Sequence, residues 1–374
     1  MEYEENPQER FYFGITPEYF TRMKLSPEEP LLYAYCFSDY EKYNEYIPNK
    51  LEENYKKLDK KYLEKLPFDY KEKVKKIKEG MKINQDFFTK VSSLYINDLC
   101  YIQLTNDAIK RFEDEEMSFI SKYFLEILTR EWAEEGKEER SKTITPIIQE
   151  LKKYYDYENK SIIEKGVSVL VIGSHFMRVP FELAKLGYYV EANEKNYSYL
   201  LVANYLFNYS KKNENLICPR ISSFCSSFTE ESVTKKHSIP DVDIWEELKD
   251  IKNEGLTIYK GDFEYDYGET KGFFDCVITN FSTELAENII SFTEMVNHVL
   301  KKGGIWINLG GLNNVYSEYG GFDLTWDEWK HVILNSGFEM KREETPILPY
   351  CQIKGHSLPY TVGTVFFTVQ KNKN

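Results

Sequence analysis

Cysteine is scarce and unpatterned: the six residues Cys36, Cys100, Cys218, Cys225, Cys276 and Cys351 include no CxxC pair. Only five scattered histidines accompany them, in no metal-like partnering. Both absences exclude a zinc finger or a disulfide scaffold, so we expect reduced, mostly buried thiols and no metal. An excess of positive charge is also missing. Lys and Arg number 48 against 61 Asp and Glu, a net charge of −13, and no sustained basic run occurs. Nucleic-acid partners are therefore not expected, because phosphate binding draws on basic side chains. No apolar run approaches a membrane span, so no membrane partner is expected either. The acidic start Met-Glu-Tyr-Glu-Glu lacks the apolar core of a signal or transit peptide. Together these absences point to the cytoplasm, with the nucleus as the alternative. What the chain does carry is aromatic side chains, 30 Tyr and 24 Phe in 374 residues, and 42% hydrophobic content overall. That composition excludes disorder, and the length suits two domains with a sizeable core.

The two parts of the chain differ in period. Residues 1–155 read as a helical N-terminal domain, with amphipathic segments at 30–62, 67–95, 105–134 and 143–155. Leu51, Tyr55, Leu58, Tyr62 and Leu66 recur at spacings of three and four, an apolar helical stripe. Pro67, Gly80 and Gly136 read as breakers. Around Ile162 the pattern changes to alternating strand and helix, so residues 156–374 read as an α/β domain. Strands are predicted near 167–172, 188–193, 257–260, 273–279, 303–309, 337–346 and 363–370. Helices are predicted near 179–187, 196–208, 284–300 and 325–336. This alternation implies a mostly parallel sheet of seven strands covered on both faces. The polar stretch 209–255 is too long for an ordinary connection and reads as an ordered insertion or lid.

Residues 168–194 are the most informative segment. A β-branched run ends at Gly173, a helical pattern follows through Leu186, Gly187 stops it, and a second strand delivers Glu194, 21 residues after Gly173. That is the layout of a nucleoside-binding Rossmann half, in which the loop faces the cofactor and the acid takes the ribose hydroxyls. The loop, Gly173-Ser174-His175-Phe176-Met177-Arg178, holds one glycine where such loops usually hold two or three.

Several blocks together resemble the carnosine N-methyltransferase family, whose members use S-adenosylmethionine to methylate an imidazole nitrogen of a histidine-containing dipeptide. Arg130-Glu131-Trp132-Ala133-Glu134-Glu135-Gly136-Lys137-Glu138-Glu139-Arg140 with Pro146-Ile147-Ile148 is similar to a helical R-D-W-S-E-x-G-x-x-E-R…P-I-I segment. Residues 173–194 align without a gap to G-A-G-L-G-R…L-G-Y…N-E, and Pro240-Asp241-Val242-Asp243 matches P-D-V-D inside the long insertion. Gly261-Asp262-Phe263, Phe274-Asp275-Cys276 and the run from Gly303 to Gly310 complete the set. The resemblance implies a class I methyltransferase fold with S-adenosylmethionine as cofactor, and the final strand suits the antiparallel seventh strand of such sheets. It further implies that Gly173 lies against the cofactor, Glu194 at its ribose, and Asp262 with Phe263 at its adenine. Arg130 would reach it from the helical domain, and Asn280 joins the same set. Read from the residues alone, the alternatives are a solvated strand-end acid for Glu194 and a turn or helix cap for Asp262, with the spacing favouring the cofactor site.

The departures from the family are as informative as the matches. His175 and Met177 replace the second and third loop glycines, and Ile127 replaces a glutamine three residues before the arginine. On the substrate side the family's acid becomes Glu284, its histidine becomes Val315, and Tyr360 alone is expected to remain of a tyrosine cluster. A pocket that recognises a ligand by hydrogen bonds loses much when one partner turns apolar. Two functions therefore stand side by side. One is an S-adenosylmethionine-dependent N-methyltransferase for a small-molecule or peptide substrate other than carnosine, with Glu284 orienting the acceptor and Tyr360 packing it. The other is a catalytically inactive relative serving as a structural or interaction module with protein partners.

Overall fold

A computed structural model describes residues 28–98, 103–158, 166–222, 227–249, 255–312, 324–352, 355 and 360–372. The helical region is built from α1 (Glu28–Ser38), the long α2 (Tyr70–Asp98) and α3 (Asn106–Phe119). Thr105 starts α3 by accepting the Ala108 backbone N–H. One π-helical turn (Ile120–Phe124) then leads into α4 (Leu125–Trp132). The chain turns extended at Ala133, passes a 3-10 turn at Glu134–Gly136, and continues as α5 (Lys137–Thr143) and α6 (Thr145–Tyr154). Gly136 allows that turn: a Cβ there would lie 2.1 Å from the Arg130 carbonyl oxygen.

Two expectations in this region need correction. Gly80 does not break a helix; it lies inside α2, where a Cβ would fall 2.5 Å from Ile221 Cδ1, so the glycine serves close packing. The apolar stripe at 51–66 is not one helical face. A helix ends at Lys56, another spans only Lys60–Leu63, and Leu58 and Tyr62 are exposed. Asp59, extended between them, resets the helical phase.

The second region alternates as its sequence requires. β1 (Ser168–Ile172), α7 (Arg178–Lys185), β2 (Tyr189–Glu194) and α8 (Tyr197–Asn208) come first. A hairpin of β3 (Asn215–Ile217) and β4 (His237–Ile239), then α9 (Ile244–Leu248), occupy the insertion. β5 (Leu256–Lys260), α10 (Phe263–Asp266), β6 (Phe274–Asn280), α11 (Ile289–Val299) and β7 (Leu300–Gly310) follow. The chain closes with α12 (Trp326–Asn335), β8 (Phe338–Glu344), the small pair β9 (Ile347–Pro349) and β10 (Thr361–Gly363), and β11 (Val365–Lys371). The sheet order is β5-β2-β1-β6-β7-β11-β8, with β11 antiparallel to both neighbours. This is the class I methyltransferase arrangement: an α/β fold with a seven-stranded, mostly parallel sheet and a helical N-terminal region.

Strand alternation explains why both faces are covered. Val169 and Val171 enter one core with Trp132, Phe176, Phe181 and Leu200, while Leu170 and Ile172 enter the other with Trp306, Trp329 and Phe367. Register then sets the site. Ile172 pairs with Asn193 on β2 and Thr279 on β6, so Gly173, Glu194 and Asn280 leave the sheet side by side at its carboxyl edge. Glu194 also pairs with Lys260, which brings Asp262 to that edge.

The insertion is tied to both regions. Asn84 of α2 exchanges two hydrogen bonds with the Cys218 backbone, at 2.9 and 2.7 Å. Buried Asp241 joins Arg140 of α5 to Arg178 of α7, the latter at 2.7 Å, and its backbone N–H donates to the Trp132 carbonyl. Cys36, Cys218, Cys276 and Cys351 are free and buried, as expected; Cys100 and Cys225 lie outside the described residues.

Candidate functional site

The loop after β1 keeps a glycine-type backbone without the glycines. Gly173 has φ +65°, His175 φ 46° and Met177 φ 68°. A left-handed conformation costs an ordinary L residue roughly 1–2 kcal/mol, so packing must hold both side chains there. Met177 is wholly buried, and Phe176 sets its ring 4.9 Å from those of Phe124 and Tyr199. The His175 ring meets Tyr199 edge-on at 5.1 Å, with Nδ1 3.9 Å from Glu131 Oε1. Burial, aided by the Arg130 charge, lowers His175 to about 3, which makes it a neutral ring and a poor base near neutrality. Gly173 is needed by the protein itself, since a Cβ would lie 2.5 Å from that of Ser282.

Glu194 closes the loop. Its carboxylate accepts the backbone N–H groups of His175 (2.8 Å) and Asn196 (2.9 Å). Burial nevertheless raises it to about 7, against the lowering pull of those hydrogen bonds. Asp262 caps α10 by accepting the Glu264 N–H at 3.0 Å and pairs with Lys195 at 3.1 Å. Phe263 is buried between Tyr267 and Phe292, with ring centroids 5.3 and 5.1 Å away.

Arg130, delivered by α4, is the centre of the second half of the site. Its guanidinium lies over the rings of Phe281 and Tyr350, at 5.0 and 4.9 Å. Nε approaches Glu139 Oε1 at 3.3 Å, and Nη2 donates to Asn280 Oδ1 at 3.3 Å. Glu139 also accepts the backbone N–H groups of Cys351 and Gln352, both at 2.9 Å, which fixes the Tyr350 segment. Glu284 Oε1 accepts the Gly311 N–H at 2.5 Å. Burial raises Glu284 and Glu131 each to about 7.

Among the described residues, a group of buried polar atoms here has no hydrogen-bond partner: Arg130 Nη1, Glu131 Oε2, Ser282 Oγ, Thr283 Oγ1 and Glu284 Oε2. Buried polar atoms are normally satisfied, so such a cluster calls for an explanation. It stands at the carboxyl edge of the sheet, where open α/β sheets take their ligands. One cation and several acceptors at that edge match the charged amino-acid end of S-adenosylmethionine. Those residues fit the group.

The structure thus gathers Arg130, Gly173, Glu194, Asp262, Phe263, Asn280 and Glu284 along one edge. Tyr360 is half exposed, and its carbonyl accepts the Tyr350 N–H at 2.9 Å. Val315 lies outside the described residues. Sequence reasoning did not single out Tyr350, Glu131 or Glu139. The last two sit inside the block that carries Arg130, Glu131 on α4 and Glu139 on α5, and membership of that block was the available signal.

A family model for carnosine N-methyltransferase matches residues 106–373. Carnosine N-methyltransferase of Mus musculus is 30% identical over 296 residues, 74% of this chain and 72% of that protein. The Dictyostelium discoideum carnosine N-methyltransferase is 28% identical over 341 residues, 87% of this chain and 70% of that one. Among solved structures, a SAM-dependent methyltransferase from Methanosarcina mazei aligns at 12% identity over 56% of this chain and 94% of that one, with a TM-score of 0.37.

Proposed function

The chain belongs to the carnosine N-methyltransferase family, and on that premise we propose that it is an S-adenosylmethionine-dependent N-methyltransferase for a small-molecule or peptide acceptor other than carnosine. The unpaired polar cluster around Arg130 carries this reading. When bound, S-adenosylmethionine supplies an electrophilic methyl group. Arg130, Gly173, Glu194, Asp262, Phe263 and Asn280 hold it, with Glu194 at the ribose and Arg130 at the amino-acid end. Little acid–base chemistry is then required. Most of the rate comes from holding an unprotonated nitrogen in line, at about 3–3.5 Å from the methyl carbon. Glu284 orients that nitrogen through its free Oε2, and, raised to about 7, it takes up the proton the nitrogen sheds. Tyr360 packs the acceptor. Val315 stands where the family resemblance expects a histidine, and an apolar residue there argues against carnosine as the acceptor. The expected setting is the cytoplasm, or alternatively the nucleus.

One observation favours the second reading, a catalytically inactive module that binds protein partners. His175 is only 6% exposed, its ring set against Tyr199 and beside Glu131, so a buried side chain occupies a loop position where the family resemblance expects glycine. Calorimetric titration of the purified chain with S-adenosylmethionine separates the two. Saturable binding that weakens in Arg130→Ala supports the transferase. Absence of heat, together with no shift in melting temperature, would leave only the inactive module.

A further inference from the structure

The apolar stripe from Leu51 to Leu66, which is not one helical face, runs into a tip. There the chain leaves the helix Tyr46–Lys56, makes the short helix Lys60–Leu63 and enters α2 at Tyr70. Leu58, Tyr62 and Phe68 are 40%, 49% and 36% exposed at this tip, and Leu63 and Leu66 are only half-buried. Among the described residues, none of these five joins a buried apolar cluster. A contiguous exposed set of this kind marks a surface that something else covers. The tip is nonetheless held in shape. Tyr55 stacks on Tyr70 at 5.1 Å and meets Phe68 edge-on at 6.3 Å. The backbone N–H groups of Leu58, Tyr62 and Leu66 donate to the carbonyls of Tyr55, Asp59 and Leu63.

Charge says what covers it. Residues 56–78 hold ten lysines against Asp59, Glu64, Asp69 and Glu72, a net charge of +6 inside a chain of −13. The cations lie among the apolar side chains: Lys61 Nζ stands 4.9 Å from the centre of the Tyr62 ring, and Lys73 Nζ 4.8 Å from that of Phe68. Lysine stems laid along apolar surface, with their heads in water, suit a lipid headgroup layer. A single-stranded nucleic acid would need open aromatic faces for stacking. Three of the five side chains are leucines, and both rings already carry a lysine. We propose that this tip docks the protein on an anionic lipid surface, with Leu58, Tyr62 and Phe68 entering the headgroup layer and the lysines facing lipid anions. No helix among the described residues is long and apolar enough to cross a membrane, and a peripheral contact requires none. The expectation of no membrane partner therefore holds for a spanning segment only. Along α2, the tip is about 38 Å from Tyr95, at 1.5 Å per residue, and there the Tyr95 hydroxyl donates to the Leu201 carbonyl of α8. The contact is thus remote from the sheet edge that α8 adjoins, and it sets where the protein sits rather than its chemistry.

The test mixes the full chain with vesicles of phosphatidylcholine alone, or of two parts phosphatidylcholine to one part phosphatidylserine, and reads the lipid-bound fraction after flotation. Binding to the anionic vesicles only, falling as salt rises, is the expected result. Lys57→Gln, Lys61→Gln and Lys65→Gln combined should weaken it by about tenfold or more. Leu58→Ser with Tyr62→Ser should do the same, and neither variant should shift the melting temperature, because all five side chains are exposed. If the apolar variant fails to fold, the lysine variant decides. No binding to anionic vesicles, or equal binding by both variants, overturns the proposal. Loss in the lysine variant with full binding by a folded apolar variant would leave mere charge attraction and also overturn it. Two other occupants have their own signatures in the absence of vesicle binding. Binding to polyuridylate that the lysine variant loses would make the tip a nucleic-acid site. A wild-type dimer in sedimentation that the apolar variant splits would make it a contact between copies of this chain. Either result replaces the lipid surface.

Discussion

Replacing the two left-handed loop residues by glycine should have opposite effects. Both His175 and Met177 hold positive φ, at 46° and 68°, and glycine relieves roughly 1–2 kcal/mol at each. Met177 is fully buried in the core that includes Phe181 and Leu200, and truncating such a side chain costs about 2–5 kcal/mol. Met177→Gly is therefore expected to destabilise by about 1–3 kcal/mol net. His175 gives up mainly its edge contact with Tyr199, worth about 0.5–1.5 kcal/mol, while its backbone N–H keeps the bond to Glu194. His175→Gly should thus be neutral or slightly stabilising. Urea titration of the two variants and wild type, with equal slopes, measures both values. Because His175 also stands beside Glu131, its removal should open space next to Arg130 and tighten S-adenosylmethionine in a calorimetric titration. Equal destabilisation by the two substitutions would refute the strain argument. Weaker cofactor binding in His175→Gly would refute the claim that its ring obstructs the ligand.

Glu194→Ala should weaken S-adenosylmethionine binding by roughly 1–3 kcal/mol by calorimetry, the scale of a charge-assisted hydrogen bond; tight binding indifferent to it would put the ligand elsewhere. The pH dependence follows from the same carboxyl. Raised from 4.5 to about 7 in the folded state, Glu194 binds its proton more tightly there than in the unfolded chain. Its contribution to stability is therefore full below 4.5 and is lost as pH rises toward 7. Glu194→Gln should flatten that part of the decline in urea midpoints, and an unchanged profile would contradict it. Carnosine should be a poor acceptor in a radiolabelled methyl-transfer assay, and Val315→His alone need not rescue it, since Glu284 also displaces the acceptor. Turnover as fast as a family member with the histidine would show the inference wrong.

Most of the sheet was legible because its central strands are near-continuous apolar, β-branched runs next to a glycine, as at Ser168–Ile172 and Phe274–Asn280. The final antiparallel strand was readable for the same reason. Helical period was less reliable where burial was absent: Leu51 to Leu66 kept the right spacing across a break that only Asp59 marks. Gly80 misled because a glycine that admits a neighbour looks, in sequence, like one that stops a helix. At the site, the chain positions of Gly173, Glu194 and Asp262 gave the edge they share. What spacing could not convey was the direction of side chains. That Met177 turns into the core, or that Tyr350 folds over Arg130, depends on packing between segments far apart in the chain.

Asp241 links α5, α7 and the insertion through two buried arginines, while Arg178 also donates to the Glu131 carbonyl at 2.8 Å. Anyone cutting this protein for expression would meet that junction first. A fragment starting at residue 156 would leave Arg178 and Asp241 without Arg140 and Trp132. Deleting the insertion would take the shared carboxylate from both buried arginines at once, leaving Arg178 only Glu182. The chain should accordingly melt in a single cooperative step rather than in pieces, and its regions are not interchangeable modules to be recombined with those of another protein.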